Sequence, residues 1–179
     1  MIHAQDVREG PYDWGIRQRD FQTERRGPAL TKAIATVKIR PLDELDIGSL
    51  AKIDEKVTGT YKPEEWERRA IYYIRRNPET SQVAEIDGVV VGFMLGEIRS
   101  GEFGLEEPTG WIEIMGIDPD RQGQSIGRGL AEAMFEHFKA AGAKTVRTLV
   151  STQSEDIIKY FQALGFAPSP IQALEKSIA

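Results

Sequence analysis

The stretch "IDPDRQGQSIGRGL", residues 117–130, sets glycines at 123, 127 and 129 and arginines at 121 and 128 between an apolar run and an amphipathic segment. Glycine inside a helix costs about 0.5–1 kcal/mol relative to alanine, so its use at a helix start asks for a reason. A helix N-terminus presents unpaired backbone N–H groups and the positive end of the dipole, and glycines let a phosphate approach them. Such a turn is either an anion cradle or a plain strand–helix junction. Just before it, "WIEIMGI" places Glu113 in an otherwise apolar strand. Strict alternation puts Glu113, Met115 and Ile117 on one face. A carboxylate there is either a general base, acting directly or through water, or half of a structural salt bridge. Glu97, following Gly96, is a second candidate base.

Spacing excludes two rival cradles. A dinucleotide fingerprint requires G-x-G-x-x-G, which Gly123, Gly127 and Gly129 do not form. A P-loop requires a Gly-Lys pair, and the chain has none.

The elements that must hold these residues follow from periodicity. "VKIRPL" reads as a short strand ended by Pro41, which then opens a helix over Asp43–Lys56 that carries Leu45, Leu50, Ile53 and Val57 at helical spacing. "VTGTYKP" breaks it, and Glu64–Arg76 reads as a second helix burying Trp66, Ala70, Tyr73 and Ile74. "SQVAEI" and "VVVGFMLGEI", joined by Asp87-Gly88, form a hairpin. After the acidic loop "RSGEFGLEEPTG", residues 111–118 form the central strand. Residues 127–141 form a helix stopped by Gly142, "KTVRTLV" a strand, and "SEDIIKYFQAL" a helix capped by Ser154 and stopped by Gly165. "FAPSPIQALEKSI" reads as an edge strand pair interrupted by Pro168 and Pro170. This order predicts an α/β fold: a mixed, mostly antiparallel central sheet of six to seven strands with helices on both faces.

The chain as a whole bounds the answer. With 179 residues, 40% hydrophobic, it suits one domain at 37–179 behind a basic N-terminal arm at 1–36. Residues 1–40 hold eight Arg and Lys against five acids, a solvated arm or a partner contact. A net charge of −5 makes nucleic acid an unlikely general partner. No apolar run reaches the roughly 20 residues needed to span a bilayer, and no signal peptide opens the sequence. The absence of cysteine removes thiolate nucleophiles and zinc–thiolate sites and suits a cytoplasmic protein; no metal is expected.

The glycine turn resembles the acyl-CoA cradle of the GNAT acyltransferase superfamily, [QR]-x-x-G-x-[GA], set between its fourth strand and third helix. Gln122 takes the first place and Gly127 the last, while Ser125 stands where the family has glycine. A shifted frame, Gln124 to Gly129, satisfies the short pattern but loses the match of Asp118-Pro119, Ile126 and Leu130. The closing "Y-x-x-x-G-F" of the family is matched by "FQALGF" at Phe161–Phe166, and the resemblance covers about four fifths of the chain. It implies a GNAT-like fold and an N-acetyltransferase moving acetyl from acetyl-CoA to a primary amine by direct attack. Met115, Gly116 and Ile117 would pair with pantetheine, and the stretch Gln122, Gly123, Gln124, Ser125, Ile126, Gly127 and Arg128 would hold the pyrophosphate. Phe161 would line the cofactor. Glu113 is the base implied; Tyr160, one residue from the family's tyrosine place, is the candidate acid or a packing residue. With phenylalanine at that place, a non-catalytic acyl-CoA-binding regulatory module is the alternative. The acids of residues 102–107 favour a cationic acceptor, such as a small amine, a lysine side chain or an N-terminus. A homodimer is a further expectation from the family.

Overall fold

Two almost continuously buried strands, over residues 81–86 and 89–99, build the centre of the fold. The structure, a computed structural model, describes residues 36–104 and 107–178, so the basic arm expected at 1–36 lies, save Thr36, outside the described residues. Strands β1 (Lys38–Pro41), β2 (Ser81–Ile86), β3 (Val89–Arg99), β4 (Thr109–Ile117) and β5 (Thr145–Arg147) form one sheet in sequence order. All pairings are antiparallel except β4–β5, which is parallel. Asp87 and Gly88 carry φ of 51° and 79°, the paired left-handed turn that matches strand twist and closes the β2–β3 hairpin.

Four helices accompany the strands: α1 (Ile47–Thr58), α2 (Pro63–Arg76), α3 (Ile126–Ala140) and α4 (Glu155–Ala163). The chain divides into two compact units, one ending at Leu149 and one beginning at Val150. In the first, β3 separates two cores. Phe93 and Leu95 point to α1 and α2, packing with Leu50, Ile53, Trp66, Ala70 and Tyr73. On the opposite face, an added Cβ at Gly96 or Gly110 would collide with Phe138 of α3. Leu130, Met134 and Phe138 are at most 1% exposed, and burying each contributes about 1.5–3 kcal/mol. Helices thus cover both faces.

Helix ends follow the expected chemistry. Pro63 opens α2, with Glu64 and Glu65 in its first turn and Arg75 and Arg76 in its last. The α3 terminus closes with Gly142 at φ +87°, whose N–H donates to Lys139 O while Ala143 N–H donates to Phe138 O. Gly165 closes α4 in the same way, through Gln162 and Phe161.

Three expectations need correction. The sheet has five strands among the described residues, because residues 167–178 form none; Pro168 and Pro170 supply no N–H to a ladder. β5 ends at Arg147 rather than continuing to Val150. Pro41 ends β1 as expected but opens no helix; Asp43 caps a short 3-10 turn, accepting from Leu45 N at 2.9 Å, and α1 starts only at Ile47.

Candidate functional site

The glycine turn is built by backbone conformation. At the end of β4, Asp118 N–H donates to Val91 O at 2.9 Å, and the Asp118 carboxylate accepts from Asp120 N at 3.0 Å. Gln122 is extended, Gly123 has φ +76°, and Ser125 is left-handed at φ 59°, ψ 14°. Ser125 is the N-cap of α3, yet its hydroxyl makes no capping bond. An N-cap serine normally sits in the extended region, where its oxygen reaches the helix amides. The left-handed conformation costs an L-residue about 1–2 kcal/mol, so this is a glycine's place held by a serine. Gly127 and Gly129 lie inside α3 and are not among the residues with positive φ. The conformation therefore favours the frame in which Gln122 is first and Ser125 replaces glycine. Residues 121–125 are exposed, whereas Ile126, at 2% exposure, anchors the helix start against β3 near Gly92.

β4 leads into this turn with one edge largely unpaired. Only Thr109, Gly110 and Trp111 pair with β5, opposite Thr145, Val146 and Arg147; from Ile112 to Ile117 no strand is paired on that side among the described residues. The other edge is fully engaged by β3, with one irregularity: Leu95 opposes Ile114 and Gly96 opposes Ile112, leaving Glu113 as an extra residue. This bulge overturns the expected single face. Glu113 and Ile114 both turn toward α1 and α2, so Met115 and Ile117 fall on the α3 face instead; Ile117 lies beside Ile126 around Gly92. Gly116 faces the Phe93 ring, which stands where its Cβ would be.

Glu113 sits in a charged cluster. Tyr73 donates its hydroxyl to Glu113 Oε2, and Arg99 donates to Oε1. Arg99 also bonds Glu97, approaches Glu102 at 3.5 Å and lies over the Trp111 ring at 4.9 Å. Glu97, only 4% exposed, further accepts from Tyr72 at 2.9 Å and pairs with Arg76 at 3.2 Å. Burial pushes the Glu97 carboxyl up, but the hydrogen bonds from Arg99 and Tyr72 outweigh it and hold the group below its ordinary 4.5. Tyr73 is pushed up to about 12, first by burial and then by the Glu97 charge, so it is a proton donor at neutral pH. Three carboxylates thus face two guanidiniums.

Sequence reasoning had paired neither Tyr73 nor Arg99 with Glu113. The signal was present in part: Glu97 and Arg99 share a strand face by alternation, and Tyr73 lies on the inward stripe of α2. Lys56 was also missed. Its ammonium donates to both oxygens of Asp118, at 2.9 and 2.7 Å, and to Asp120 at 3.1 Å.

Within the second unit, Phe161 is 5% exposed and meets Tyr160 and Phe166 edge-on, each at 5.0 Å between ring centres. Its surroundings there are those of a packing residue. Tyr160 is half-buried beside it.

The family model for Acetyltransferase (GNAT) matches residues 47–166, spanning the turn, β4 and α4. The chain belongs to the GNAT acetyltransferase family. Among its GNAT relatives, a mycothiol acetyltransferase of Thermobispora bispora is 26% identical over 157 residues, 86% of this chain and 52% of that protein. The chain therefore spans about half the length of that relative. The aminoglycoside N-acetyltransferase AAC(6')-Iy, solved with CoA, superposes with a TM-score of 0.71 at 17% identity, covering 84% of this chain and 100% of that one. Glucosamine-6-phosphate N-acetyltransferase from Arabidopsis thaliana gives 0.61 at 23% identity over 80% of this chain and 99% of its own. These two likenesses establish a shared GNAT fold. No helix among the described residues is long and apolar enough to cross a membrane.

Proposed function

We propose that this GNAT chain is an acetyl-CoA-dependent N-acetyltransferase for a cationic primary amine. One observation carries the reading: the unpaired β4 edge runs directly into a left-handed turn at the start of α3. An extended chain bearing amides can pair with such an edge, and its pyrophosphate then meets the helix N-terminus. In this assignment Met115, Gly116 and Ile117 offer main-chain partners to pantetheine. The amides from Gln122 to Arg128 hold the pyrophosphate.

The amine nitrogen attacks the thioester carbon, the C–N bond forms, the C–S bond breaks and the sulfur takes up a proton, so that CoA leaves as the thiol. An alkylamine is mostly protonated at neutral pH, with a reference value near 10.4 for lysine, so a group must take its proton. Glu113 is that group, through a water, since Tyr73 and Arg99 already occupy one position on each of its oxygens. Tyr160 supplies the proton to the departing sulfur. The excess of carboxylate over guanidinium around Arg99 favours an ammonium as the incoming acceptor. Mycothiol and aminoglycoside acetyltransferases among the relatives support an amine acceptor.

Thiol release from acetyl-CoA, measured across a panel of small amines and lysine peptides, tests this reading. Glu113→Gln should lower kcat by about 10²–10⁴-fold, the usual worth of general base catalysis, with CoA affinity unchanged. An unchanged kcat would remove Glu113 from the chemistry. Tight CoA binding without turnover on any amine would favour the second reading, a non-catalytic acyl-CoA-binding regulatory module. The ion-paired state of Glu113 and the packing role of Phe161 are what support that alternative.

A further inference from the structure

The entrance to the anion-binding turn carries the wrong charge for its ligand. Asp118 and Asp120 stand immediately before residues 122–128, and two carboxylates there oppose an incoming pyrophosphate. Lys56, in the last turn of α1, covers both of them with a single ammonium. The hydrogen bonds to Asp118 and then to Asp120 raise its proton affinity, so it stays charged. The contact is structural as well as electrostatic. Asp118 is fixed by Val91 O through its N–H, orders the 3-10 turn through its carboxylate, and is tied to α1 through Lys56.

We propose that Lys56 is a positioning residue for the acyl-CoA site: it offsets half of the charge of Asp118 and Asp120 and ties the entry of the pyrophosphate turn to α1. It lies in another element, some sixty positions earlier in the chain (|i−j| of 62 to Asp118), and belongs to no glycine-turn motif. The inference rests on the acetyl-CoA reading above, and it concerns ligand affinity rather than chemistry. Lys56 is 46% exposed on its side chain, so the effect is moderate and sensitive to salt.

Calorimetric binding of coenzyme A itself, which needs no acceptor, tests it. Lys56→Gln should weaken binding about fivefold at low salt, equivalent to about 1 kcal/mol. The loss should shrink as ionic strength rises. Lys56→Arg should restore affinity, and adding Asp120→Asn to Lys56→Gln should recover part of it by removing the uncovered charge. An unchanged affinity in Lys56→Gln would overturn the proposal. So would a salt-independent loss that tracks a fall in Tm and that Lys56→Arg does not rescue, since that is a folding defect. If the wild-type chain binds no CoA, the acetyl-CoA reading falls and this inference with it; wild-type binding with an indifferent Lys56 sinks the inference alone.

Discussion

Replacing Ser125 by glycine should improve the protein. Ser125 holds φ 59° and ψ 14° at the N-cap of α3 without forming a capping hydrogen bond, so its side chain brings strain and no compensating cap. Relief of the left-handed penalty is worth about 1–2 kcal/mol. The extra freedom of glycine in the unfolded chain returns about 0.5–1 kcal/mol of that. The balance is a stabilisation of about 0.5–1 kcal/mol, or a Tm rise of about 1–4 °C for a chain of this size. CoA affinity should hold or tighten up to about fivefold (about 1 kcal/mol), because the turn no longer has to be forced into shape. Scanning calorimetry reads the first quantity and titration calorimetry the second. Ser125→Ala keeps the strain and removes only the hydroxyl, so it should leave both unchanged. A tenfold loss of affinity in both variants would show that the hydroxyl grips the ligand, and a fall in Tm for Ser125→Gly would refute the strain account.

Gly129→Ala should stabilise α3 by about 0.5–1 kcal/mol in thermal melts, since the added Cβ would stand 3.6 Å from Ile39 in ordinary contact. Gly96→Ala should destabilise by about 1–3 kcal/mol or more, because its Cβ would fall 2.3 Å from Trp111 O, a backbone atom that cannot step aside. Glu97 has a folded pKa held below its ordinary 4.5, so it stabilises the fold above that pH and loses the contribution as pH falls through the folded value. The Tm gap between wild type and Glu97→Gln should therefore be full at pH 6 to 7 and narrow progressively as the pH falls below 4.5, and a gap independent of pH would contradict the assignment. Tyr160→Phe should slow thiol release at saturating acetyl-CoA if Tyr160 protonates the sulfur, and an unchanged kcat would leave it a packing residue.

Much of the first unit is legible in the residues themselves. Helical spacing located α1, α2 and α3 within a few positions, and Asp87-Gly88 fixed the hairpin by turn chemistry. The glycine turn at the start of α3 was legible in the sequence, and Ser125 as its one irregular position. Period-two reasoning failed at Glu113, because a bulge adds a residue without leaving any mark in the composition of "WIEIMGI". The edge strand pair expected after α4, with Pro168 and Pro170 as interruptions, does not form at residues 167–178, where those prolines supply no N–H to a ladder. The Arg99 cluster was hidden for a different reason. Its members come from α2, β3, β4 and the loop after β3, and only tertiary packing brings them to one guanidinium.

The unpaired edge of β4 has a consequence for how the strand breathes. Along β4 alternate amides face β3 and the other edge, so their exchange with solvent deuterium should divide into two classes. Amides bonded to β3 are sealed by the ladder. Those aimed outward between Ile112 and Ile117 have no strand over them among the described residues and should exchange many times faster. The bulge at Glu113 should shift the phase of this fast–slow pattern by one residue partway along the strand. A bound chain lying on that edge would silence only the fast class, writing the ligand's path onto every second amide.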